Sequence, residues 1–194
     1  MTFGIDGAER KAVPYETRSV PVPGRKLKLV KASWMKIYTP VVAQCKLQIR
    51  MNLSASSIDI RTCEETLSTV AIQRAEEFLR AIVCGFSVED AISVLRIDSI
   101  YVDAFDVEDV RRLRHGHVGR AIGRIAGKKG KVKANLENIS QTRIVVEDKH
   151  IRILGTAESI ALARTAISKL IMGSQPAKVC TDLRTISKKV QERL

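Results

Sequence analysis

Apolar positions follow two spacings along this chain, and the same succession of spacings occurs twice. Four segments alternate apolar and polar side chains, as half-buried strands do, at residues 47–53, 58–61, 142–146 and 150–154. Each pair is followed by apolar side chains at helical spacing, over residues 64–84 and then 156–172. Gly85 and Gly173 come directly after these helices, where glycine commonly ends a helix. The repeated order predicts a duplicated α/β module of about 75 to 90 residues.

Further elements precede or follow the strand pairs. Residues 16–23 form a short extended segment whose prolines suit only an edge strand. Residues 34–46 have helical spacing, and Pro40 must either start a new turn or kink this helix. A short helix over residues 88–95 follows an N-cap at Ser87. In the second half, one strand and two helices are expected at residues 99–105, 109–126 and 131–139.

These elements predict four parts of the chain. They are a flexible N-terminal tail, a first module, a second module and a basic C-terminal helix, over residues 1–15, 16–97, 98–173 and 174–194. In the last part, Val179, Leu183 and Ile186 recur at helical spacing, so we expect this helix to dock on the second module.

The charge of the chain narrows the class of partner. The 194 residues carry a formal net charge of +12, and 45% of them are apolar, which is enough for a buried core. Such an excess of cations usually means a polyanion, either nucleic acid or an anionic membrane. The chain has no apolar run near the roughly 18 residues of a spanning helix, and its first residues lack a signal-peptide core. Nucleic acid is therefore favoured.

The cysteines indicate a reducing compartment. They are Cys45, Cys63, Cys84 and Cys180, and none lies in a C-x-x-C pair that would suggest zinc. We expect free thiols in or near the core of an intracellular protein.

A glycine loop, Gly127-Lys128-Lys129-Gly130, lies between the helices predicted at residues 109–126 and 131–139 of the second module. It sits in a run of nine Lys and Arg, from residue 111 to residue 133, that contains no Asp or Glu. Unpaired backbone N–H groups and the helix dipole at the start of the second helix favour anions. Glycine lets a phosphodiester backbone approach without meeting a Cβ atom. The combination predicts a cradle for single-stranded nucleic acid.

Three kinds of group would form this binding site. The phosphates would be held by Gly127, Lys128, Lys129 and Gly130. Positive charge would come from Arg120, Arg124, Lys131, Lys133 and Arg143. The bases would lie in a groove walled by Ile125, Val132, Leu136 and Ile144.

Other chemistry fits the sequence less well. A phosphate-binding P-loop needs G-x-x-x-x-G-K-[ST], whereas Gly123 and Gly127 bracket three residues and Lys128 is followed by Lys129. An ordinary helix connection with surface lysines is the structural alternative. Trp34 is more typical of a core anchor than of a base-stacking residue. Two further sets of residues complete neither a catalytic nor a metal site. They are the acidic residues Asp98, Asp103, Asp106, Glu108 and Asp109, and the pair His115 and His117. No catalytic residue, metal or cofactor is expected.

The glycine loop and its flanks resemble a type I KH domain, in which a GxxG loop clamps about four nucleotides of single-stranded RNA or DNA. The matching segments are Ile122-Gly-Arg-Ile-Ala-Gly-Lys-Lys-Gly-Lys and Thr142-Arg-Ile-Val-Val. More motifs resemble the partner-of-NOB family, also called DIM, over most of residues 16–194. They are Trp34-Met-Lys-Ile-Tyr-Thr-Pro, Leu47-Gln-Ile-Arg-Met-Asn, Ile60-Arg-Thr-Cys-Glu, Gly85-Phe-Ser-Val-Glu-Asp-Ala and Leu170-Ile-Met-Gly-Ser-Gln-Pro-Ala. Lys129 departs from that family, whose loop is more often Gly-Lys-Gly-Gly.

The resemblance implies an α+β fold with two tandem type I KH-like domains, each a small antiparallel three-stranded sheet packed with helices, and a C-terminal helix. In that family the first domain is degenerate and lacks GxxG. The implied function is that of a non-catalytic assembly factor for the small (40S) ribosomal subunit. It would bind pre-rRNA near the 3′ end of 18S rRNA and assist the NOB endonuclease that cuts there.

Further partners implied by the resemblance are small-subunit ribosomal proteins and other pre-40S factors, with no membrane and no small-molecule substrate. The implied location is the nucleolus and nucleus, and also the cytoplasm with pre-40S particles. Two alternatives stay open. One is another KH-domain RNA-processing factor, such as a different assembly factor or an exosome-associated subunit. The other is an RNA-processing enzyme.

Overall fold

The computed structural model describes residues 15–66, 68, 70–112 and 115–191. The tail predicted over residues 1–15 lies outside the described residues except for Tyr15. Leu67, inside one predicted helix, Arg114, inside the basic run, and the last three residues of the predicted C-terminal helix also lie outside them.

The chain divides into two compact units, residues 1–79 and 80–194. The boundary falls inside a helix that both units share. The sequence places the domain limit at residues 97 and 98 instead, and that limit stays a prediction.

The first unit follows the order strand, helix, helix, strand, strand, helix. Its elements are β1 (Thr17–Pro21), α1 (Gly24–Ala32), α2 (Trp34–Cys45), β2 (Leu47–Asn52), β3 (Ser57–Thr62) and the start of α3 (Val70–Cys84). The strands form an antiparallel sheet in the order β1-β3-β2. Ile49 lies opposite Ile60 in this sheet. Ile60 is buried in the same unit as Ile37 and Val41, which are four residues apart and so share one face of α2.

The second unit repeats this plan with additions. Its elements after α3 are α4 (Val88–Arg96), β4 (Ile100–Asp106), α5 (Val107–Val110), α6 (His115–Ala126), α7 (Lys131–Ser140), β5 (Arg143–Glu147), β6 (His150–Thr156), α8 (Ala157–Met172) and α9 (Pro176–Gln191). The sheet is again antiparallel, in the order β4-β6-β5. Because both sheets have the same strand order, the predicted duplication is confirmed, and so is the fold class of two small three-stranded sheets with helices.

Helices account for the main differences from the expected elements. Residues 24–32 form α1, which the sequence pattern does not predict, because Val30 is its only fully buried residue. The helix expected over residues 109–126 is two helices, α5 and α6, and Arg111 between them is extended (φ −156°, ψ 129°). Pro40 lies inside α2 without ending it, buried on the same side as Ile37 and Val41.

The core of the second unit lies between its sheet and helices α6, α7 and α8. Ala121 and Ile125 of α6 belong to this core together with Ile151 and Ile153 of β6. Helix α9 packs against α7 and α8 and adds Val179 and Leu183 to the same core. Within the described residues, no helix has the length and apolar character needed to cross a membrane.

Candidate nucleic-acid interface

The glycine loop is one tight turn between α6 and α7. A 3₁₀ turn covers Lys128–Gly130, and α7 begins at the next residue. Gly127, Lys129 and Gly130 all have positive φ, at 69°, 54° and 74°. The backbone N–H of Gly130 donates a hydrogen bond to the carbonyl oxygen of Gly127 at 3.3 Å. The loop is therefore an ordered corner whose shape depends on left-handed backbone positions.

This corner carries only positive charge. Lys128, Lys129 and Lys131 are exposed. The first turn of α7 has no acidic residue, and Gly130 at its N-cap offers no side chain to satisfy the helix N–H groups. The start of a helix has about half a positive charge. Lysines and helix dipole thus act together, and the corner is suited to a phosphate group.

One face of α6 carries no side chain. It is formed by three glycines at helical spacing, which we call the glycine face: Gly116, Gly119 and Gly123. A Cβ atom added at any of them would meet no atom within 4 Å, so open backbone leads up to the loop. A phosphodiester chain can approach such a surface closely. This feature was not predicted from the sequence, although the i, i+3, i+7 spacing of the glycines was its signal.

The expected walls of the base groove are placed differently by the structure. Ile125, Leu136 and Ile144 are 0%, 0% and 1% exposed and lie in the core of the second unit. Side chains without exposed surface cannot contact bases, so these three support the loop from below. Val132 is partly buried against the same core. The helical spacing that puts Ile125 and Leu136 on inward faces was already in the sequence.

Three of the expected cations already have partners. The Nη2 atom of Arg124 donates to the carbonyl oxygen of Ile171, at the C-terminal end of α8, over 3.1 Å. The Nζ atom of Lys133 lies 3.7 Å from a carboxylate oxygen of Glu137, one turn along α7. Arg143 binds Asp90 through Nε at 2.9 Å, and this hydrogen bond raises the pKa of Arg143. These contacts hold the three side chains in place, whereas Arg120 is exposed.

Several of the remaining acidic candidates have structural partners. The Asp109 carboxylate accepts a hydrogen bond from the N–H of Asp106 and starts α5, and Asp103 accepts one from Arg164. Burial raises the pKa of the Cys45 thiol. In the part of the chain that the structure describes, no group of three or more His, Cys, Asp or Glu side chains could hold a metal ion. The side chain of His115 lies outside that part.

Comparison with known proteins shows which family this chain resembles. A model of the eukaryotic type KH-domain (KH-domain type I) matches residues 104–188, which include the loop. The pre-rRNA-processing protein PNO1 of Coccidioides immitis is 47% identical over 97% of this chain and 72% of its own length. The RNA-binding protein PNO1 of Oryzias latipes is 44% identical over 96% of this chain and 76% of its own length. The chain belongs to the PNO1 family.

Solved structures have the same fold as this PNO1-family chain. Dim2p of Pyrococcus horikoshii, crystallised in a complex with a/eIF2alpha and rRNA, is 25% identical. It superposes with a TM-score of 0.78 over 90% of this chain and 96% of its own. A protein of Aeropyrum pernix, 23% identical with a TM-score of 0.80 over 93% of this chain and 95% of its own, has the same fold. As a PNO1-family member, the chain is a KH-domain, RNA-binding, pre-rRNA-processing protein of a non-enzymatic family.

The first module of this PNO1-family chain has no glycine loop at the corresponding position. Helix α1 ends at Ala32 and α2 begins at Trp34, so Ser33 alone joins them. Trp34 is half-buried, with its ring centroid 6.5 Å from that of Tyr38. It is not the buried core anchor expected from the sequence, because it occupies the first position of α2 beside the short junction.

Proposed function

We propose that this chain is a non-catalytic assembly factor of the small (40S) ribosomal subunit that holds pre-rRNA near the 3′ end of 18S rRNA. Gly127, Lys128, Lys129 and Gly130 bind the phosphates of a single strand. One observation carries the proposal: an ordered corner combines left-handed backbone, exposed lysines and an uncapped helix start, and it adjoins the glycine face. The names of the PNO1 relatives and the rRNA complex of the archaeal Dim2p support it.

The buried side chains take an indirect part in this proposal. Ile125, Leu136 and Ile144 fix α6, α7 and β5 relative to one another, so the loop keeps its shape when RNA binds. Lys131 and Arg120 add attraction from exposed positions, and Val132 supports the loop where it meets α7. Arg124, Lys133 and Arg143 contribute positive charge from paired positions.

The proposed partners follow from a role in assembly. By holding the substrate strand, the protein assists the NOB endonuclease that cuts at this end of 18S rRNA, and it contacts small-subunit ribosomal proteins and other pre-40S factors. Its proposed location is the nucleolus and nucleus, and the cytoplasm with pre-40S particles. The first module, which lacks a glycine loop, is available for protein contacts in this scheme.

A binding experiment tests the RNA-binding part. For the wild type on a single-stranded RNA from the 3′ end of 18S, about four phosphate contacts give log K a slope near −3 against log[salt], at about 0.7 per contact. The double variant Lys128→Asp, Lys129→Asp is expected to bind at least roughly tenfold more weakly, a change of about 1.4 kcal/mol. Its melting temperature stays nearly unchanged because both sites are exposed.

The C-terminal helix supplies a matched control. Lys188 and Lys189 are also adjacent and exposed, and lie near the end of α9. Lys188→Asp with Lys189→Asp makes the same change in net charge and is expected to keep most of the affinity. A salt slope near zero for the wild type, or equal losses in the two double variants, would overturn the assignment of the loop.

A second experiment tests the non-catalytic part. Labelled RNA spanning the 3′ end of 18S is incubated with Mg²⁺ and this protein, with purified NOB endonuclease, or with both. The expected result is no cleavage with this protein alone and more accurate or faster cleavage with both. Cleavage by the protein free of contaminating nuclease would favour the enzyme alternative.

A further inference from the structure

A cleft of about 400 Å³ opens between α6 and the C-terminal end of α8. Most of the side chains that line it are basic: Arg111, Arg112, His117, Arg120 and Arg124. The exposed Met172 lines it as well. We call it the arginine cleft. No carboxylate is among its described lining residues.

Helical spacing brings these side chains together. His117, Arg120 and Arg124 are three and four residues apart on α6, so they share one side of the helix. At a rise of about 1.5 Å per residue they span roughly 10 Å along it. Arg111 and Arg112, just after α5, close the far end of the row. The row is next to the glycine face on the same helix, since Arg120 lies four residues after Gly116 and three before Gly123.

The arginines of this cleft differ from others in the second unit. Arg143, Arg152 and Arg164 each bind a carboxylate, at 2.9, 2.7 and 2.9 Å. Among the residues that the structure describes, the guanidinium groups of Arg111 and Arg112 have no ion-pair or hydrogen-bond partner.

Arg120, on the same cleft, likewise has no side-chain partner among those residues. Like charges held close together destabilise a folded chain unless a counter-charge lies between them. An arrangement of this kind is suited to an anionic ligand.

Arg124 fixes the floor of the cleft. One end of its guanidinium donates to the carbonyl oxygen of Ile171, while its Nε atom is buried without a hydrogen-bond partner in the described part of the chain. Its charge is therefore held at the C-terminal end of α8 and is not neutralised by a carboxylate. The position of the positive charge is set before any ligand arrives.

We propose that the arginine cleft binds a phosphodiester group of RNA at a point away from the glycine loop. The inference rests on the proposed RNA-binding function and extends its footprint beyond the four nucleotides at the loop. A strand leaving the loop along the glycine face has the arginine row directly beside it. Guanidinium groups bind phosphate oxygens in pairs of parallel hydrogen bonds, which suits arginine better than lysine at such a site.

RNA length separates the two sites experimentally. A single-stranded RNA of about four nucleotides reaches the loop alone, whereas one of about twelve nucleotides also reaches the cleft. The test variant is Arg111→Ala, Arg112→Ala, which leaves every group assigned to the loop in place. The control is Lys188→Ala, Lys189→Ala, which removes the same two positive charges from exposed positions of α9. Arg111→Glu alone repeats the test if the double variant loses its cooperative melting.

The cleft variant is expected to bind the short RNA as the wild type does and the long RNA roughly tenfold more weakly. Its salt slope on the long RNA becomes shallower by about 0.7, since one phosphate is no longer neutralised. Unchanged binding of the long RNA, or an equal loss in the control, overturns the proposal. Displacement of the long RNA by poly-glutamate as readily as by unlabelled RNA overturns it too, in favour of an acidic protein ligand. A wild type that binds neither RNA refutes the proposed function itself.

Discussion

A Cβ atom on Gly127 would lie 2.8 Å from the Cβ atom of Val132, closer than two carbon atoms approach without a covalent bond. Val132 is in the first turn of α7 and partly buried against the core. Gly127 also has a φ of 69°. Two features therefore require glycine at the first position of the loop: its positive φ, and the side chain of Val132 that packs over it.

The variant Gly127→Ala is expected to lower the free energy of unfolding by about 2 kcal/mol or more, because overpacking adds to the cost of a left-handed alanine. Gly130→Ala is the matched control, since its φ is 74° but no atom lies within 4 Å of an added Cβ. It should cost only about 1 kcal/mol. Urea denaturation measures both, and equal losses would show that the contact with Val132 contributes nothing.

The variant Gly123→Ala is expected to stabilise the protein and weaken RNA binding at once. An added methyl group meets no atom, and alanine favours a helix over glycine by about 1 kcal/mol. The same methyl group would obstruct a strand on the glycine face, and we expect roughly tenfold weaker binding. Thr165→Ala, at an exposed position of α8, is the control for helix propensity alone. Undiminished RNA binding by Gly123→Ala would exclude this path for the strand.

The variant Lys129→Gly tests whether the second lysine of the loop contributes to RNA binding. Lys129 has a φ of 54°, so glycine should raise the free energy of unfolding by about 0.5 to 1 kcal/mol. Removal of one phosphate contact should make the salt slope shallower by about 0.7. Lys129→Ala removes the same charge and keeps the unfavourable angle, so its affinity should fall equally without the gain in stability. Retention of the full slope in both variants would mean that Lys129 does not contact RNA.

Acid should destabilise the first unit through Asp59. The Ser19 hydroxyl, 2.8 Å away, lowers the pKa of this carboxyl most, with help from Ser57 and Arg50, while burial opposes the shift. A carboxyl whose pKa is lower in the folded state stabilises the fold above its unfolded pKa, about 3.9. That stability is lost as the pH falls through the folded-state pKa.

Urea midpoints between about pH 7 and pH 3 measure the effect. Asp59→Asn should be less stable than the wild type near neutral pH and should converge with it as the acid transition proceeds. Asp148→Asn, at an exposed turn, is the control and should follow the wild-type curve. A difference between Asp59→Asn and the wild type that stays constant across this range would refute the assignment.

The strands and the loop were predictable because their signals are local. Alternation over residues 142–146 and 150–154 gave β5 and β6 to within two residues at each end. The two glycines and two lysines of the loop are contiguous, so their combined chemistry is visible without a fold. Helix α1 gave no such signal, because eight of its nine residues are not fully buried and a helix with one buried position has no apolar stripe.

The roles of the arginines were not predictable from local sequence. Arg124 binds a carbonyl 47 residues away, and Arg143 binds a carboxylate 53 residues away. Only the packing of α8 and α4 around the second sheet brings these partners within reach. The prediction for Ile125 was wrong for another reason. Its helical spacing placed it on the inward face, whereas its nearness to the loop suggested contact with bases. Burial decides between the two, and it places Ile125 in the core.

Three consecutive residues of helix α6 have different structural roles. Gly123, Arg124 and Ile125 point in directions about 100° apart, toward open surface, the arginine cleft and the core. In a saturation mutagenesis scan of this helix, growth phenotypes should rise and fall with a period of 3.6 residues. Substitutions that lower protein abundance and substitutions that lower RNA crosslinking should fall at different positions of the helix. An average over the whole helix would hide this difference, so variants in this segment have to be interpreted one position at a time.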